Sequence, residues 1–421
     1  MNRPDMAGVG ADAGKGAGGA GNDARPLCLM LVAGEPSGDL LGGRLMIALR
    51  AERPGPVEFF GIGGAAMQAA GLESLFPLED LAVMGLLEVL PRLPRLHRRL
   101  RQARDLALTR RPDALITIDA PGFNFRLSRR LEGAGFPLIH YVAPSVWAWR
   151  PGRAAEIARF LDHLLALLPF EPPWFERVGL PVTFVGHPVV ESGAASADGA
   201  AFRAKAGIAP TAPLLALLPG SRRGEVARHL PPFGEALAIL AQRLPGLAVV
   251  LPTLPELRPE IERATRGWAV VPRIVAAPGA ENYAAMAAAD AALAASGTVA
   301  LELALARVPT IVAYRVNPLT ARLARRLITV RYVSLVNIIL DRPVMPELLQ
   351  EDCVAPKLAA AVERLMIEPE ARAVQLAAAD QVALALGQGG PAPSHRAARA
   401  VLAAITAGPR RRAGWQQGEE K

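Results

Sequence analysis

Cysteine is almost missing from this chain. Cys28 lies in an apolar run and Cys353 far from it, so no disulfide framework is implied and a reducing compartment is expected. No stretch reaches the roughly 18 uncharged apolar residues of a membrane-spanning helix, and the alanine-rich segment 284–301 is interrupted by Asp290 and followed by Glu302. LCLMLVA (27–33) is too short for a signal-peptide core and is followed closely by Glu35 and Asp39, so it reads as a buried first strand. The six histidines include no pair with metal-ligand spacing such as HExxH, so neither a metal nor any other cofactor is expected. Aromatic residues make up 5% of the chain, which makes any cluster of them conspicuous.

What remains is ample for folding. The 421 residues exceed one ordinary core and half are apolar, which favours two domains and excludes wholesale disorder. Residues 1–26 and 407–421 have little to bury and are expected to be a disordered extension and a disordered tail. Between them, short apolar runs (LCLMLVA, VEFFGIG, DALITID, PLIHYVA, HLLALLPF) alternate with segments of helical spacing, the signature of parallel strands with crossover helices. The small, polar stretch VVESGAASADGA (189–200) separates this unit, 27–190, from a second, 201–375, with PLLALLPG, LAVVLP, WAVVPRIVA, DAALAAS and PTIVAYR. The fold class is therefore α/β, two facing Rossmann-like doubly wound domains, with helices over 376–406 crossing back to the first.

In such sheets ligands bind beyond the carboxyl ends of the strands, and the unusual residues cluster in those loops. LLPGSRRGEV (217–226) ends a strand in Gly220, Ser221, Arg222, Arg223 and Glu225 at a helix start, where backbone N–H groups, a hydroxyl and a cation suit a diphosphate. The GK[ST] element of a P-loop is absent, and a capped turn with solvated arginines is the plainer alternative. ASGTVALE supplies a second such loop, Ser296, Gly297 and Thr298, with Glu302 one turn on, able to accept ribose hydroxyls or simply to face solvent.

In the first unit, AGEPSGD (33–39) offers Glu35, Ser37 and Asp39 without the spacing of a dinucleotide fingerprint. IDAPGFN (118–124) places Asp119 at a strand end, either a general base or a turn aspartate. SVWAWRPGR puts Trp147, Trp149, Arg150 and Arg153 together, a stacking or acyl-contacting surface beside phosphate ligands, although at least one ring suits a core. His187, in VGHP at the seam, reads better as a backbone-bonding residue than as a catalyst. From Asp80 to Arg111 an apolar run, LAVMGLLEVL, precedes eight arginines opposed by Asp105 alone; either an anionic bilayer surface or a buried helix beside a solvated one accounts for it.

With these blocks in one order (AGEPSGD, LAVMGLLEVL, IDAPGFN, HYVAPSVWAWR, LPFE, VGHP, LLPGSRRGE, ASGTVALE, YVSLVNIIL), the sequence resembles the lipid-A-disaccharide synthase family, glycosyltransferases of the two-Rossmann GT-B architecture, from about residue 27 to the C-terminal helices. The resemblance implies transfer from UDP-2,3-diacylglucosamine to the 6-hydroxyl of 2,3-diacylglucosamine 1-phosphate, with inversion. It assigns UDP to Gly220, Ser221, Arg222, Glu225, Ser296, Gly297, Thr298, Glu302 and Asn337. Asp119 is the expected base and Arg222 its catalytic partner; Glu35 and Asp39 are the reserve candidates. Ser37, Asn124, Trp147, Trp149, Arg150 and His187 are the remaining acceptor-side or loop positions. Relatives with IDAPDFN carry a second acid where this chain has Gly122. The first unit would be the acceptor and membrane side and the second the UDP-sugar side of a cytoplasmic enzyme held peripherally on the inner membrane of a Gram-negative cell, with a homodimer left open. Another UDP-N-acetylglucosamine enzyme on the same scaffold, such as a 2-epimerase, is the enzymatic alternative. Nucleic acid is not expected as a partner, because no RNA-recognition pattern of aromatic and basic residues occurs.

Overall fold

The computed structural model describes residues 25–81, 93–317, 321–322 and 327–410. The apolar run expected at 82–90, Arg92 and most of both termini lie outside the described residues.

Seven parallel strands form the first sheet: β1 (Leu27–Ala33), β2 (Val57–Ile62), β3 (Glu73–Ser74), β4 (Ala114–Ile118), β5 (Leu138–Tyr141), β6 (His163–Ala166) and β7 (Val182–Phe184), in the order β3-β2-β1-β4-β5-β6-β7. Both faces are covered. Alternate β1 residues therefore enter two different cores, Leu29 and Leu31 on one side and Met30 and Val32 on the other, all fully buried. The covering helices include α1 (Pro36–Glu52), α2 (Ala65–Ala69), α3 (Leu93–Arg110), α4 (Pro121–Arg130), α5 (Arg153–Ala158) and α6 (Pro172–Glu176).

The second sheet comprises β8 (Leu214–Leu218), β9 (Ala248–Thr253), β10 (Arg273–Ala276), β11 (Ala291–Ala294), β12 (Thr310–Tyr314) and β13 (Glu347–Leu349), in the order β10-β9-β8-β11-β12-β13 and again parallel. Its helices are α7 (Gly199–Ala206), α8 (Arg223–Arg243), α9 (Arg258–Thr265), α10 (Ala280–Ala287), α11 (Val299–Leu305), α12 (Leu335–Leu340), α13 (Ala355–Ile367) and α14 (Pro369–Ala385). The expected strand WAVVPRIVA is shorter than its sequence suggests: pairing begins only after Pro272, which has no N–H to give a ladder.

One helix, α15 (Pro393–Ala407), returns to the first sheet, where its small residues Ala397, Ala398 and Val401 pack closely on α1 beside Leu45 and Met46. Glu52 pins the contact by accepting from His395 Nδ1 and Arg399 Nε, both at 2.7 Å. The return starts later than residue 376. Helix α14 stays with the second sheet because Ala379, Val382 and Ala383 pack on Ala300, Leu301 and Ala304, and Gln375 accepts from the Thr310 N–H at 2.7 Å.

Candidate active site

A doubly wound sheet opens a crevice where the chain, having added strands on one side, begins adding them on the other. In the first sheet that point lies between β1 and β4, and in the second between β8 and β11. Four loops leave the carboxyl ends of these strands: 34–37, 119–122, 219–222 and 295–298. Those loops hold Glu35, Ser37 and Asp119 in one half and Gly220, Ser221, Arg222, Ser296, Gly297 and Thr298 in the other.

Asp119 and Ala120 are both left-handed, φ 50° and 43°. That conformation costs about 1 kcal/mol or more per non-glycine residue, so something must hold it. Asn124 does so from inside α4: its buried Nδ2 donates to Ile118 O at 3.0 Å and Asp119 O at 2.7 Å, while the Asp119 N–H donates to Tyr141 O at 2.9 Å. Asn124 thus shapes the turn from beneath and presents no group to the acceptor side. Ser37 Oγ donates to Asp119 Oδ2 at 3.5 Å. The two loops touch because residue 34 is glycine, whose position leaves only 2.4 Å between an added Cβ and Ala120 Cβ. Beside Gly122, by contrast, no atom lies within 4 Å of an added Cβ, so the absent second acid leaves open space.

Glu35 lies within electrostatic reach of both halves. The residue is exposed, yet its carboxyl is raised by partial desolvation and by the Asp119 carboxylate, and the Arg222 guanidinium, from the second sheet, pulls it back. Asp39 has another occupation. It is buried, and its oxygens accept the N–H groups of Gly64, Ala66 and Met67 at 2.8, 2.9 and 3.0 Å, so it caps α2 and is no reserve base.

In the second half, Gly220 has φ 123°, and an added Cβ would lie 2.8 Å from the Glu225 carboxylate. Ser221 is exposed, and Arg222, 64% exposed, starts α8. Glu225 does not face an anion directly. Its Oε1 accepts from Arg222 Nη1 at 3.0 Å and from Tyr314 Oη at 3.3 Å, so it aims the guanidinium. Ser296 Oγ donates to Val333 O at 3.2 Å, while Gly297 and Thr298 lie exposed at the start of α11. Glu302 is half-buried, its carboxyl raised by burial, and accepts from Tyr283 Oη at 3.3 Å.

Asn337 is misplaced by the sequence reading. Its amide is fully buried and occupied on both sides: Nδ2 donates to Met345 O and Glu347 Oε1 (2.8 Å each), and Oδ1 accepts from Val344 N (2.9 Å) and Met345 N (2.8 Å). Glu347 also accepts the Val333 and Ser334 N–H groups, so the pair braces the segment that Ser296 touches. Trp147 is likewise a core residue, stacked edge-on to Phe170 at 5.1 Å and donating to Glu171 Oε1 at 3.3 Å. Burial raises the Glu171 carboxyl to about 7, against the lowering pull of the Leu167, Leu168 and Trp147 N–H groups. Trp149, 39% exposed, is the ring left at the surface, with Arg150 over it at 4.5 Å. His187 caps a short turn, its Nδ1 accepting from Val189 N at 3.1 Å; burial lowers it to about 4.

Thr329, beyond the carboxyl end of β12, ties the second half to the segment after β5 in the first, donating through Oγ1 to Trp147 O and Ala148 O at 3.1 and 3.2 Å. Sequence reasoning missed Tyr314, His229, Glu171 and Glu347; their partners are 3 to 89 residues distant, and only the LPFE block hinted at Glu171.

A family model described as lipid-A-disaccharide synthetase matches residues 29–400. The chain belongs to that family. It is accordingly a hexosyltransferase of lipid A disaccharide synthesis. The lipid-A-disaccharide synthase of Rhodospirillum centenum is 60% identical over 384 residues, covering 91% of this chain and 96% of its own length. That of Paramagnetospirillum magneticum is 53% identical over 392 residues, covering 92% and 100%. Among solved structures, UDP-GlcNAc 2-epimerase from Neisseria meningitidis bound to UDP-GlcNAc has a TM-score of 0.60 at 11% identity, covering 90% of this chain and 100% of its own. The calicheamicin glycosyltransferase has a TM-score of 0.57 at 18% identity, covering 91% and 100%. At such identities the likeness is one of fold, the GT-B pair of Rossmann-like domains. The epimerase alternative therefore has scaffold similarity alone behind it, whereas the synthetase family is matched along the whole core.

Proposed function

We propose that the synthetase joins UDP-2,3-diacylglucosamine to 2,3-diacylglucosamine 1-phosphate across the cleft between the two crevices. The observation that carries this reading is the pairing of two crevices, one holding Asp119 against Ser37 at 3.5 Å and the other holding Arg222 aimed by Glu225 and Tyr314, with the charges of both acting on Glu35. An acid-base group and an anion site thereby flank a single space, as a displacement of diphosphate requires.

In the reaction the acceptor's 6-hydroxyl gives its proton to the Asp119 carboxylate while its oxygen bonds to the donor's anomeric carbon. The bond from that carbon to the diphosphate breaks on the opposite face, its electron pair goes to the β-phosphate oxygen of UDP, and the configuration inverts. Ser221, the N–H groups opening α8 and α11, and Arg222, aimed by Glu225, receive the growing charge. Glu302 takes ribose hydroxyls. Glu35, its carboxyl raised by desolvation and by Asp119, is suited to hydrogen-bond the acceptor sugar. Residues 27–190 form the acceptor domain and 201–375 the UDP-sugar domain.

Both substrates are amphiphiles, so apolar contact must accompany the cations. Trp149 with Arg150 supplies one such surface. Helix α3, whose arginines 95, 98, 101 and 104 follow each other at helical spacing, supplies a cationic one for the anionic inner-membrane face of a Gram-negative cell. No helix among the described residues is long and apolar enough to cross a membrane.

The test uses the purified full chain with both acylated sugars and EDTA, following disaccharide and UDP together. Asp119→Asn is expected to keep UDP affinity and to lose turnover by about 10² or more. Full activity in that variant removes Asp119 as the base, and loss of all transfer in EDTA alone refutes the metal-independent scheme.

A further inference from the structure

His229 lies on the second turn of α8, fully buried, and takes no part in the chemistry above. Its Nδ1 is 2.7 Å from the Pro219 carbonyl oxygen, and its Nε2 accepts the Arg315 N–H at 2.9 Å. A carbonyl only accepts and an N–H only donates, so the ring is a neutral imidazole with its proton on Nδ1. Burial acts in the same direction by lowering its basicity. The ring stacks on Phe233 at 5.8 Å and meets Tyr314 at 5.4 Å, so it cannot turn freely.

The consequence follows from peptide geometry. In a planar trans peptide the C=O and the next N–H point in opposite directions. A Pro219 carbonyl drawn inward to His229 turns the Gly220 N–H outward, into the crevice between β8 and β11. Arg315 lies just past β12, whose last residue, Tyr314, holds Glu225 and through it Arg222. One ring thus fixes two things at once: the direction of the first amide of the 219–222 loop, and the strand end from which the guanidinium is aimed.

We propose that His229 is a positioning residue for diphosphate capture, setting the Pro219–Gly220 peptide through its Nδ1–H. The inference rests on the reading that UDP occupies the 219–222 loop. Gln and Asn divide the two bonds: the Asn amide reaches the place of Nδ1, and the Gln amide that of Nε2. UDP affinity by titration calorimetry, kcat, KM and the thermal midpoint are measured for His229→Asn, His229→Gln and, as control for the loop itself, Arg222→Ala.

The expected pattern is UDP affinity within about threefold of the parent for His229→Asn, and a loss of roughly tenfold or more, with lower kcat, for His229→Gln, since about 1 Å of misplacement is enough for such losses. Equal weakening in both variants overturns the proposal, because that reports ring packing rather than the bond to Pro219. Unchanged affinity in His229→Gln overturns it too, provided Arg222→Ala binds UDP poorly. If Arg222→Ala binds UDP like the parent, the site reading itself falls and takes this inference with it. Should His229→Gln fail to fold, His229→Asn decides alone: retained affinity supports the role, and a tenfold loss refutes it.

Discussion

Replacing Gly34 by alanine puts one methyl group between the two loops of the first crevice. Its Cβ would stand 2.4 Å from Ala120 Cβ, where carbon atoms ordinarily keep about 3.5–4.0 Å, so the loops must part by about 1 Å. Overpacking of this kind costs roughly 1–3 kcal/mol of stability. The larger effect is on chemistry, because Ala120 adjoins Asp119 in the same left-handed turn and moves with it. A displacement of about 1 Å at a proton acceptor lowers turnover about 10²-fold, equivalent to about 2.7 kcal/mol of barrier. UDP binding, which belongs to the other sheet, should stay within a factor of about two. The second arm removes the opposing methyl: in Gly34→Ala/Ala120→Gly the clash is gone, and the left-handed conformation costs about 1 kcal/mol less. Steady-state transfer and thermal unfolding on the four proteins give a coupling energy, expected near 1–3 kcal/mol in stability and about 10² in kcat. A Gly34→Ala enzyme with parental kcat, or a double variant that recovers nothing, refutes both the tight apposition and its tie to Asp119.

Asp39→Asn turns an amide N–H toward one of the three N–H groups its carboxylate now accepts; a loss of about 1–3 kcal/mol in denaturant unfolding is expected with kcat changed less than threefold, and a selective loss of kcat would return Asp39 to the active site. Trp149→Ala should raise KM for acylated substrates about tenfold without altering UDP affinity, as calorimetry with UDP alone checks; an equal effect on UDP shows that the ring has another role. Acid should destabilise the fold through His187. Its folded value of about 4 lies below the unfolded 6.5, so its contribution is complete above pH 6.5 and fades as pH falls toward 4, by roughly 3 kcal/mol. Glu171 acts in the reverse sense: its folded value of about 7 exceeds the unfolded 4.5, so its contribution is complete below pH 4.5 and is lost, again by roughly 3 kcal/mol, as pH rises through 7. Between pH 4.5 and 6.5 the two slopes oppose and nearly cancel, so urea midpoints of the parent should vary little from pH 4 to 8. His187→Gln should expose the Glu171 decline, with stability falling by roughly 3 kcal/mol from pH 4.5 to above 7, and a flat profile in that variant refutes the Glu171 assignment.

The loops were legible because their chemistry is local. Gly220, Ser221 and Arg222 are consecutive, Ser296 to Thr298 likewise, and both follow runs whose apolarity marks doubly covered strands. Alternation marks parallel, doubly wound units, whereas the strand order and hence the switch points come from the structure. What could not be read is whether a polar side chain faces the crevice or the protein. Asp39 looks like a site residue because it follows Ser37 and Gly38 just past a strand, and Asn337 is assigned only through the resemblance, yet each closes a set of backbone bonds to partners 7 to 28 residues away. Trp147 and Trp149 are separated by a single alanine, and only the distant Glu171 decides that the first ring goes inward. His229 carries no signal at all, since its partners are a proline carbonyl ten residues earlier and an amide 86 residues later.

That division has a physical cause which also bears on mechanism. A crevice between parallel strands gathers backbone N–H groups from helix starts, and these are indifferent to side-chain identity. A few long-range polar contacts must then orient them, and each must be buried to be worth its desolvation. In the second sheet His229, Tyr314 with Glu225, and Asn337 with Glu347 lie behind the anion loops; in the first, Asn124 lies behind Asp119. The anion-loop groups Ser221, Arg222, Gly297 and Thr298 are exposed, the groups that hold the loops are buried or partly buried, and the supports of the two halves lie in different sheets. Anion binding and proton transfer should therefore fail separately: damage behind the second sheet raises UDP dissociation with the acid-base limb of the pH profile intact, and damage behind the first lowers kcat while UDP still binds. A variant of Asn124 that abolishes UDP binding while the protein stays folded would show that the halves do not work as independent supports.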